Sequence, residues 1–292
     1  MKELLILSGK GGTGKTTITG ALASLCKNKL LADCDVDAAD LHIILAPESS
    51  EKNDFVSGVK AVINPELCTG CGTCYEICKY EAIELDDIAK VDDFSCEGCG
   101  VCAHFCPEKA IELEPNHCGY WYVSKTRFGP MVHAELMPGE ENSGKLVSLV
   151  KQQARKMADE AKANLILVDG PPGIGCPVIS SFSGANMVLA VTEPTKSGLH
   201  DLERVVQLAT HFKVPIGVVI NKWDLNPEMS ESIEDFCQTK GLPLFGRIPF
   251  DEEVINALIA KKTVIEFKDC KAAQSIANIW QQIEKTLQEE NK

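Results

Sequence analysis

The sequence predicts an α/β protein: a mostly parallel, doubly wound sheet that carries a phosphate loop, interrupted by a small α+β insertion. Three observations predict it. Short apolar runs alternate with helical stretches along most of the chain, as buried parallel strands and their crossover helices do. The first run, Leu4 to Leu7, leads directly into Ser8 to Thr17, SGKGGTGKTT. Cysteines between Cys68 and Cys106 fall into two identically spaced sets.

Composition bounds the rest. At 292 residues the chain holds enough material for one large domain and a small one. No basic, apolar leader precedes the loop at residue 8, and no apolar run approaches the ~18 to 20 residues needed to span a bilayer. A cytoplasmic protein is expected. A formal net charge of −13 argues against nucleic acid or an anionic membrane as partner. Residues 272–292 have the pattern of an amphipathic helix, yet they carry Glu284, Glu289 and Glu290 without a basic face, so a membrane-binding terminal helix is not expected. Fourteen cysteines in such a chain point to metal or redox chemistry rather than disulfides.

In chain order, Leu4 to Leu7 is the first strand. Gly9, four residues and then Gly14-Lys15-Thr16 match the phosphate-loop pattern of strand, glycine-rich turn and helix. Gly9, Gly11, Gly12 and Gly14 let backbone N–H groups, with those of Lys10 and Thr13 between them, turn inward around a polyphosphate at a helix start whose dipole favours an anion. Lys15 would reach the β and γ phosphates and Thr16 would hold Mg²⁺, with Thr17 closing the nucleotide-binding run. A helix follows over Lys15 to Cys26. The second strand, Leu30 to Ala32, ends in Asp33, Asp35, Asp37 and Asp40, which should face the phosphate crevice at the C-terminal edge of the sheet.

Glu48 to Asp54 is polar and reads as a linker, so the large domain is assigned to 1–55 and 116–292 and the insertion to 56–115. Within the insertion Cys68, Cys71, Cys74 and Cys78 follow C-x₂-C-x₂-C-x₃-C, and Cys96, Cys99, Cys102 and Cys106 repeat that spacing 28 residues later. AIEL recurs at the same offset, at Ala82 to Leu85 and Ala110 to Leu113, so a whole supersecondary unit is duplicated. Gly70, Gly72, Gly98 and Gly100 allow close backbone approach between the cysteines. C-x₂-C pairs also bind Zn²⁺, which is the structural alternative to iron.

Beyond the insertion, Tyr120 to Ser124 reads as a strand, and Ser143 can cap a helix to about Ala163. Leu165 to Val168 is a buried strand ending in Asp169, followed by GPPGIGCPVIS. Met187 to Val191 is a strand and Leu199 to Phe212 a helix. Pro215 to Ile220 is a strand that delivers Asn221-Lys222-Trp223-Asp224. Leu244 to Ile248 and Pro249-Phe250-Asp251 supply a last strand and a loop placed to touch a nucleoside. His117, His133 and His200 lack metal-type spacing and read as structural or surface residues, as do Cys26, Cys34, Cys237 and Cys270.

Lys10 narrows the family. With it the loop reads KGGTGKT, and the chain resembles the deviant phosphate-loop ATPases of the MinD, Mrp and nitrogenase-iron-protein superfamily. The resemblance implies a P-loop NTPase that binds ATP with Mg²⁺ and hydrolyses it, slowly without a partner. It implies a homodimer with ATP at the interface, Lys10 reaching the nucleotide of the other subunit. Asp35 matches the first-switch residue that orients or deprotonates the attacking water, with Asp37 the second choice. Asp169 matches the Walker B acid that binds Mg²⁺, usually through water, with Lys15 as the phosphoryl-stabilising cation, and Gly170 to Gly175 matches the second switch. Asn221 and Asp224 resemble an NKxD base reader. Cys176 lies seven residues after Asp169, the offset of a subunit-bridging cluster ligand in the nitrogenase iron protein, with Cys118 as a candidate second pair.

From about Val56 to Pro115 the chain resembles a bacterial two-cluster ferredoxin. That implies two [4Fe–4S] clusters, the fourth cysteine of each run ligating the other cluster: Cys68, Cys71, Cys74 and Cys106 for the first, Cys96, Cys99, Cys102 and Cys78 for the second. Pro107 follows the fourth cysteine as that pattern asks, whereas Lys79 stands where the other proline would be. The expected architecture is thus a doubly wound P-loop sheet with an inserted ferredoxin-like α+β domain. The leading functional expectation is an ATPase whose cycle gates electron transfer through the clusters to a redox or metallocofactor partner protein. An Mrp-like assembly ATPase is the alternative, weakened by the absence of a C-terminal C-x₂-C pair, and a MinD- or ParA-like positioning ATPase is the third.

Overall fold

Strands that are apolar at every position need cover on both faces, and the central strands here have it. A computed structural model describes residues 1–141 and 143–289. In chain order its elements are β1 (Lys2–Ser8), α1 (Lys15–Leu25), β2 (Lys29–Asp33), α2 (Leu41–Leu45), β3 (Ser49–Ile63), α3 (Thr73–Ile77), β4 (Ile83–Leu85) and β5 (Ala89–Val91). Then come α4 (Val101–Phe105), β6 (Ile111–Thr126), β7 (Gly129–Leu136), α5 (Ser143–Glu160), β8 (Leu165–Pro172), α6 (Cys176–Ser181), β9 (Met187–Thr192) and α7 (Lys196–Phe212). The chain ends with β10 (Ile216–Asn221), a 3₁₀ turn at Trp223–Leu225, α8 (Pro227–Lys240), β11 (Leu244–Ile248), α9 (Glu252–Ile259), α10 (Val264–Phe267) and α11 (Lys271–Glu289).

The large sheet has the order β11-β10-β9-β1-β8-β2-β7-β6-β3. Parallel pairing runs from β11 through β10, β9, β1, β8 and β2 to β7. The winding reverses at β1, and that reversal opens a crevice at the C-terminal strand ends. Leu4, Ile6, Leu31, Leu167, Leu189 and Val219 share one buried cluster with Ile18 and Leu22 of α1 and Ile276, Trp280 and Ile283 of α11. Leu5, Leu7, Ile166 and Val168, one residue out of step, point to the other face. There α5 buries Leu146, Val147, Val150 and Ala154 at helical spacing and packs on β2 and β8.

Two compact units result, one of Met1–Asn53, Trp121–Glu135 and Ser143–Lys292, the other of Asp54–Tyr120 and Leu136–Asn142. The second is wider than 56–115. Segment 136–142 belongs to it because the Met137 N–H donates to the Cys118 carbonyl at 2.8 Å, while Glu140 takes Lys60 at 2.6 Å and Asn116 at 2.7 Å.

Of the linker expected over Glu48 to Asp54, all but Glu48 is instead the start of β3. As the outermost strand of the sheet it is exposed at Ser49 to Lys52, so polar residues serve there and no apolar alternation marks it. Its Ser50 bonds Ser124 at 2.7 Å, and the strand expected at Tyr120 to Ser124 is the end of the longer β6. β7 went unrecognised, and Arg127-Phe128 alone link it to β6, a link that only antiparallel neighbours accept. Ser143 is the first helical residue of α5 rather than its cap. The helix expected over 272–292 is α11, whose apolar face is core rather than a free amphipathic surface; Glu290 and the residues after it lie outside the described residues. No described helix is long and apolar enough to cross a membrane.

The duplicated stretch folds twice with the same hydrogen bonds. Each half begins with a cysteine N–H on an Asx carbonyl, Cys68 to Asn64 at 3.1 Å and Cys96 to Asp92 at 3.0 Å. Each half then enters a short helix from a glycine in the left-handed region, Gly72 at φ 78° and Gly100 at φ 76°. The halves also exchange partners: the Asn64 N–H donates to Ala110 and the Asp92 N–H to Ala82, both at 2.8 Å. That reciprocal crossing carries the end of each run to the beginning of the other.

Candidate nucleotide site and cysteine cavities

At the C-terminal end of β1 the backbone turns through Gly12 and Gly14, both at positive φ, into α1. The turn is tight: a Cβ at Gly14 would lie 2.4 Å from the Asn221 amide and one at Gly9 2.2 Å from Asp201 Cβ. Lys15, only 5 % exposed, reaches back from the first turn of α1 to Asp169 Oδ1 at 3.0 Å and Asp35 Oδ2 at 3.5 Å. Burial disfavours its charge, but Asp169, Asp35 and Asp33 outweigh that and raise its pKa.

Asp169 and Asp33 are cross-strand partners on β8 and β2 and both are fully buried. Asp169 accepts from Thr16 and from Thr19 hydroxyls, each at 2.7 Å. Asp33 accepts the backbone N–H groups of Asp35 at 3.1 Å and Leu41 at 3.2 Å; burial and then Asp169 push its pKa well up. Burial, opposed by Lys15, pushes the Asp35 carboxyl up to about 6. Asp35 thus lies buried beside the phosphate-loop lysine, whereas Asp37 and Asp40 face solvent.

Lys10 bonds Glu193 Oε1 at 2.7 Å and the hydroxyls of Ser197 at 3.0 Å and Thr195 at 3.4 Å. Glu193 also takes Lys222 at 3.5 Å, whose ammonium donates to the Gly12 carbonyl at 3.1 Å. Asn221 donates to the Thr13 carbonyl at 2.7 Å, so the end of β10 grips the loop. Beside it lies a cavity of about 280 Å³ lined by Thr17, Ile18, Asn221, Pro249, Phe250 and Ile255 among others, with room for a planar base. Asp224 does not line it. Its carboxylate accepts the Phe250 N–H at 2.7 Å, so the NKxD segment braces the loop at 249–251. Gly170 to Pro172 complete β8, leaving Gly173 to Gly175 as the open part of the expected second switch.

Thr19, Glu193 and Lys222 were not singled out from sequence. Only the polar run after the apolar strand β9, TEPTKS, could have signalled Glu193 as a crevice residue, since β9 neighbours β1.

In the second unit the cysteines line two small cavities. One is bounded by Cys68, Cys71, Cys74 and Cys106 with Thr69, Thr73 and Glu108; the other by Cys96, Cys99, Cys102 and Cys78 with Tyr80 and Glu97. Each holds three thiols of one run and the last thiol of the other, as the reciprocal crossing dictates. Cys71 and Cys99 are exposed. Among the described residues no three His, Cys, Asp or Glu side chains converge closely enough for a single metal ion. The thiols instead ring a space. Cys118 is fully buried and donates its thiol to the Ser57 carbonyl at 3.0 Å, so it offers no ligand to a second subunit. Cys176, the first residue of α6, is exposed.

Comparison with known proteins agrees with this geometry. A family model described as the CobQ/CobB/MinD/ParA nucleotide binding domain matches residues 4–264. An uncharacterized protein of Methanocaldococcus jannaschii is 34% identical over 288 residues, 98% of this chain and 97% of that protein. The septum site-determining protein MinD of Pyrococcus horikoshii, solved with Mg-ADP, superposes at a TM-score of 0.60 with 19% identity, covering 98% of this chain and 97% of that one. MinD of Aquifex aeolicus, solved in complex with MinC, gives 0.59 with 21% identity over 97% and 96%.

Proposed function

Since the chain belongs to the CobQ/CobB/MinD/ParA nucleotide-binding family, we propose that it binds ATP with Mg²⁺, hydrolyses it, and couples that cycle to one-electron transfer through two [4Fe–4S] clusters to a partner protein. The observation that carries the reading is the presence, in one chain, of a phosphate-loop site and two cavities each ringed by four cysteines. The Mg-ADP held by the Pyrococcus horikoshii neighbour supports the nucleotide and the ion.

At the first site Thr16 and Asp169 would hold Mg²⁺, which neutralises charge on the transferring phosphoryl group. Lys15, pressed between two carboxylates in the free protein, moves its charge to the β and γ phosphates, where electrostatic stabilisation of phosphoryl transfer is largest. Asp35 accepts a proton from, or orients, the attacking water. Lys10 exchanges Glu193 for the nucleotide of a second copy, making a homodimer the hydrolytic species.

In the second unit Cys68, Cys71, Cys74 and Cys106 would hold one cluster and Cys96, Cys99, Cys102 and Cys78 the other, each supplying one-electron chemistry. The donor set fits: thiols ring each cavity, and Gly70, Gly72, Gly98 and Gly100 at positive φ turn the backbone close around them. The unit also needs a staple. Among the described residues its buried cluster is Ala61, Cys74, Ile83, Ala89 and Ile111, with Phe55, Ala82, Ala110 and Cys118 also buried, a small core for about 70 residues.

The test is an anaerobic determination of iron and sulfide, followed by an EPR-monitored redox titration with and without Mg²⁺ and a non-hydrolysable ATP analogue. Two cubanes' worth of iron and a nucleotide-dependent shift in either couple are expected; iron-free protein, or couples indifferent to nucleotide, would overturn the coupling. A second reading, a MinD-like positioning ATPase, is favoured by the likeness to the MinD structures. It predicts ATP-dependent assembly that survives removal of iron.

A further inference from the structure

The two halves of the duplicated unit are equal in backbone and unequal in what they offer the thiols. At the first cavity the Thr73 hydroxyl lies 3.5 Å from Cys71 Sγ, and the Ala110 N–H donates to Cys106 Sγ at 3.3 Å. Thr69 lines the same cavity. At the positions 28 residues on, Thr69 becomes Glu97 and Thr73 becomes Val101. The second set therefore has no hydroxyl at the position matching Thr73.

Acidic residues do not offset this difference, because each cavity has one: Glu108 beside the first set and Glu97 beside the second. Lys79, next to Cys78, pulls the other way, but it is exposed and water screens its charge. A thiolate ligand has no proton, so the Thr73 hydroxyl can only donate to Cys71. Donors to ligand sulfur stabilise the more negative, reduced state and so raise the potential.

We propose that the site formed by Cys68, Cys71, Cys74 and Cys106 holds the higher-potential cluster of the two, and that Thr73 is the residue that sets the difference. This rests on the two-cluster reading above. A single electron that enters at the second site passes to the first, the second cluster being reoxidised as the first is reduced, with a low-potential one-electron donor as the source. The first site is therefore where a reduced chain stores its electron.

The experiment uses the full chain, anaerobically reconstituted, with dithionite as reductant and EPR as readout. Thr73→Val removes the hydroxyl and keeps the shape. It should lower the higher of the two couples by an amount that cuts the reduced-to-oxidised ratio about tenfold at fixed potential, 59 mV for one electron, while the lower couple and the iron content stay as they were. Val101→Thr should raise the lower couple and narrow the gap. Movement of the lower couple in Thr73→Val, or of neither, overturns the proposal. Wild-type protein that takes up no clusters overturns instead the reading on which it rests.

Discussion

The phosphate-loop site and the cysteine cavities are built in opposite ways. Around the loop every strong charge already has a partner: Lys15 with Asp169 and Asp35, Lys10 with Glu193, Asp169 with Thr16 and Thr19. Buried charges demand such pairing, so that site stands formed before nucleotide arrives, and binding must exchange partners. In the cavities, thiols supply five of the nine partly buried groups packed around the small core, and the backbone crossing holds the ring. The first site is ordered by its own electrostatics; the second depends on what fills it.

The comparison breaks most visibly if Lys15 is removed. Lys15→Ala should leave Asp169 and Asp35 facing each other without a cation and cut hydrolysis by about 10³-fold, the scale of losing a preorganised charge stabiliser; steady-state phosphate release checks it, and near-normal turnover would refute the role of Lys15. Stripping iron with an anaerobic chelator should next open residues 54–120 to protease while nucleotide binding by the first unit persists. Equal protease resistance with and without iron would show that the small core suffices.

Finer tests sharpen the electrostatic half. With Asp35 ionising at about 6, kcat/KM should rise as pH increases through that value and flatten above it, since the carboxylate is the acting form. The same group has the opposite sign in stability. Its folded pKa exceeds the unfolded 3.8, so the native state binds the proton more tightly, and this contribution is present below pH 3.8 and lost as pH rises through 6. Asp35→Asn should abolish the pH step in kcat/KM. Last, Asn221→Ala frees the Thr13 carbonyl and should raise the KM for ATP about fivefold, the worth of one hydrogen bond, with kcat barely changed.

Much of this was legible along the chain. The loop at Ser8 to Thr17, the strands ending in Asp33 and Asp169, and the 28-residue cysteine repeat are local patterns whose chemistry does not depend on distant residues. β3 was not legible, because an exposed edge strand needs no apolar alternation. Glu193 was not legible either: it matters only because β9 lies beside β1, and neighbourhood in a sheet is a tertiary fact. The bond from the Phe250 N–H to the Asp224 carboxylate was not legible for the same reason.

The sequence by itself determined the phosphate loop, the family mark at Lys10, the alternation that builds a parallel sheet, and two four-cysteine runs, because each is a spacing along one strand, turn or helix. Only the tertiary structure decided which carboxylates crowd Lys15, that Lys10 is held by Glu193, and which backbone hydrogen bonds carry each fourth thiol to the other run's cavity. Those outcomes depend on sheet order and on the reciprocal Asn64–Ala110 and Asp92–Ala82 hydrogen bonds, which bring together residues that no local spacing relates.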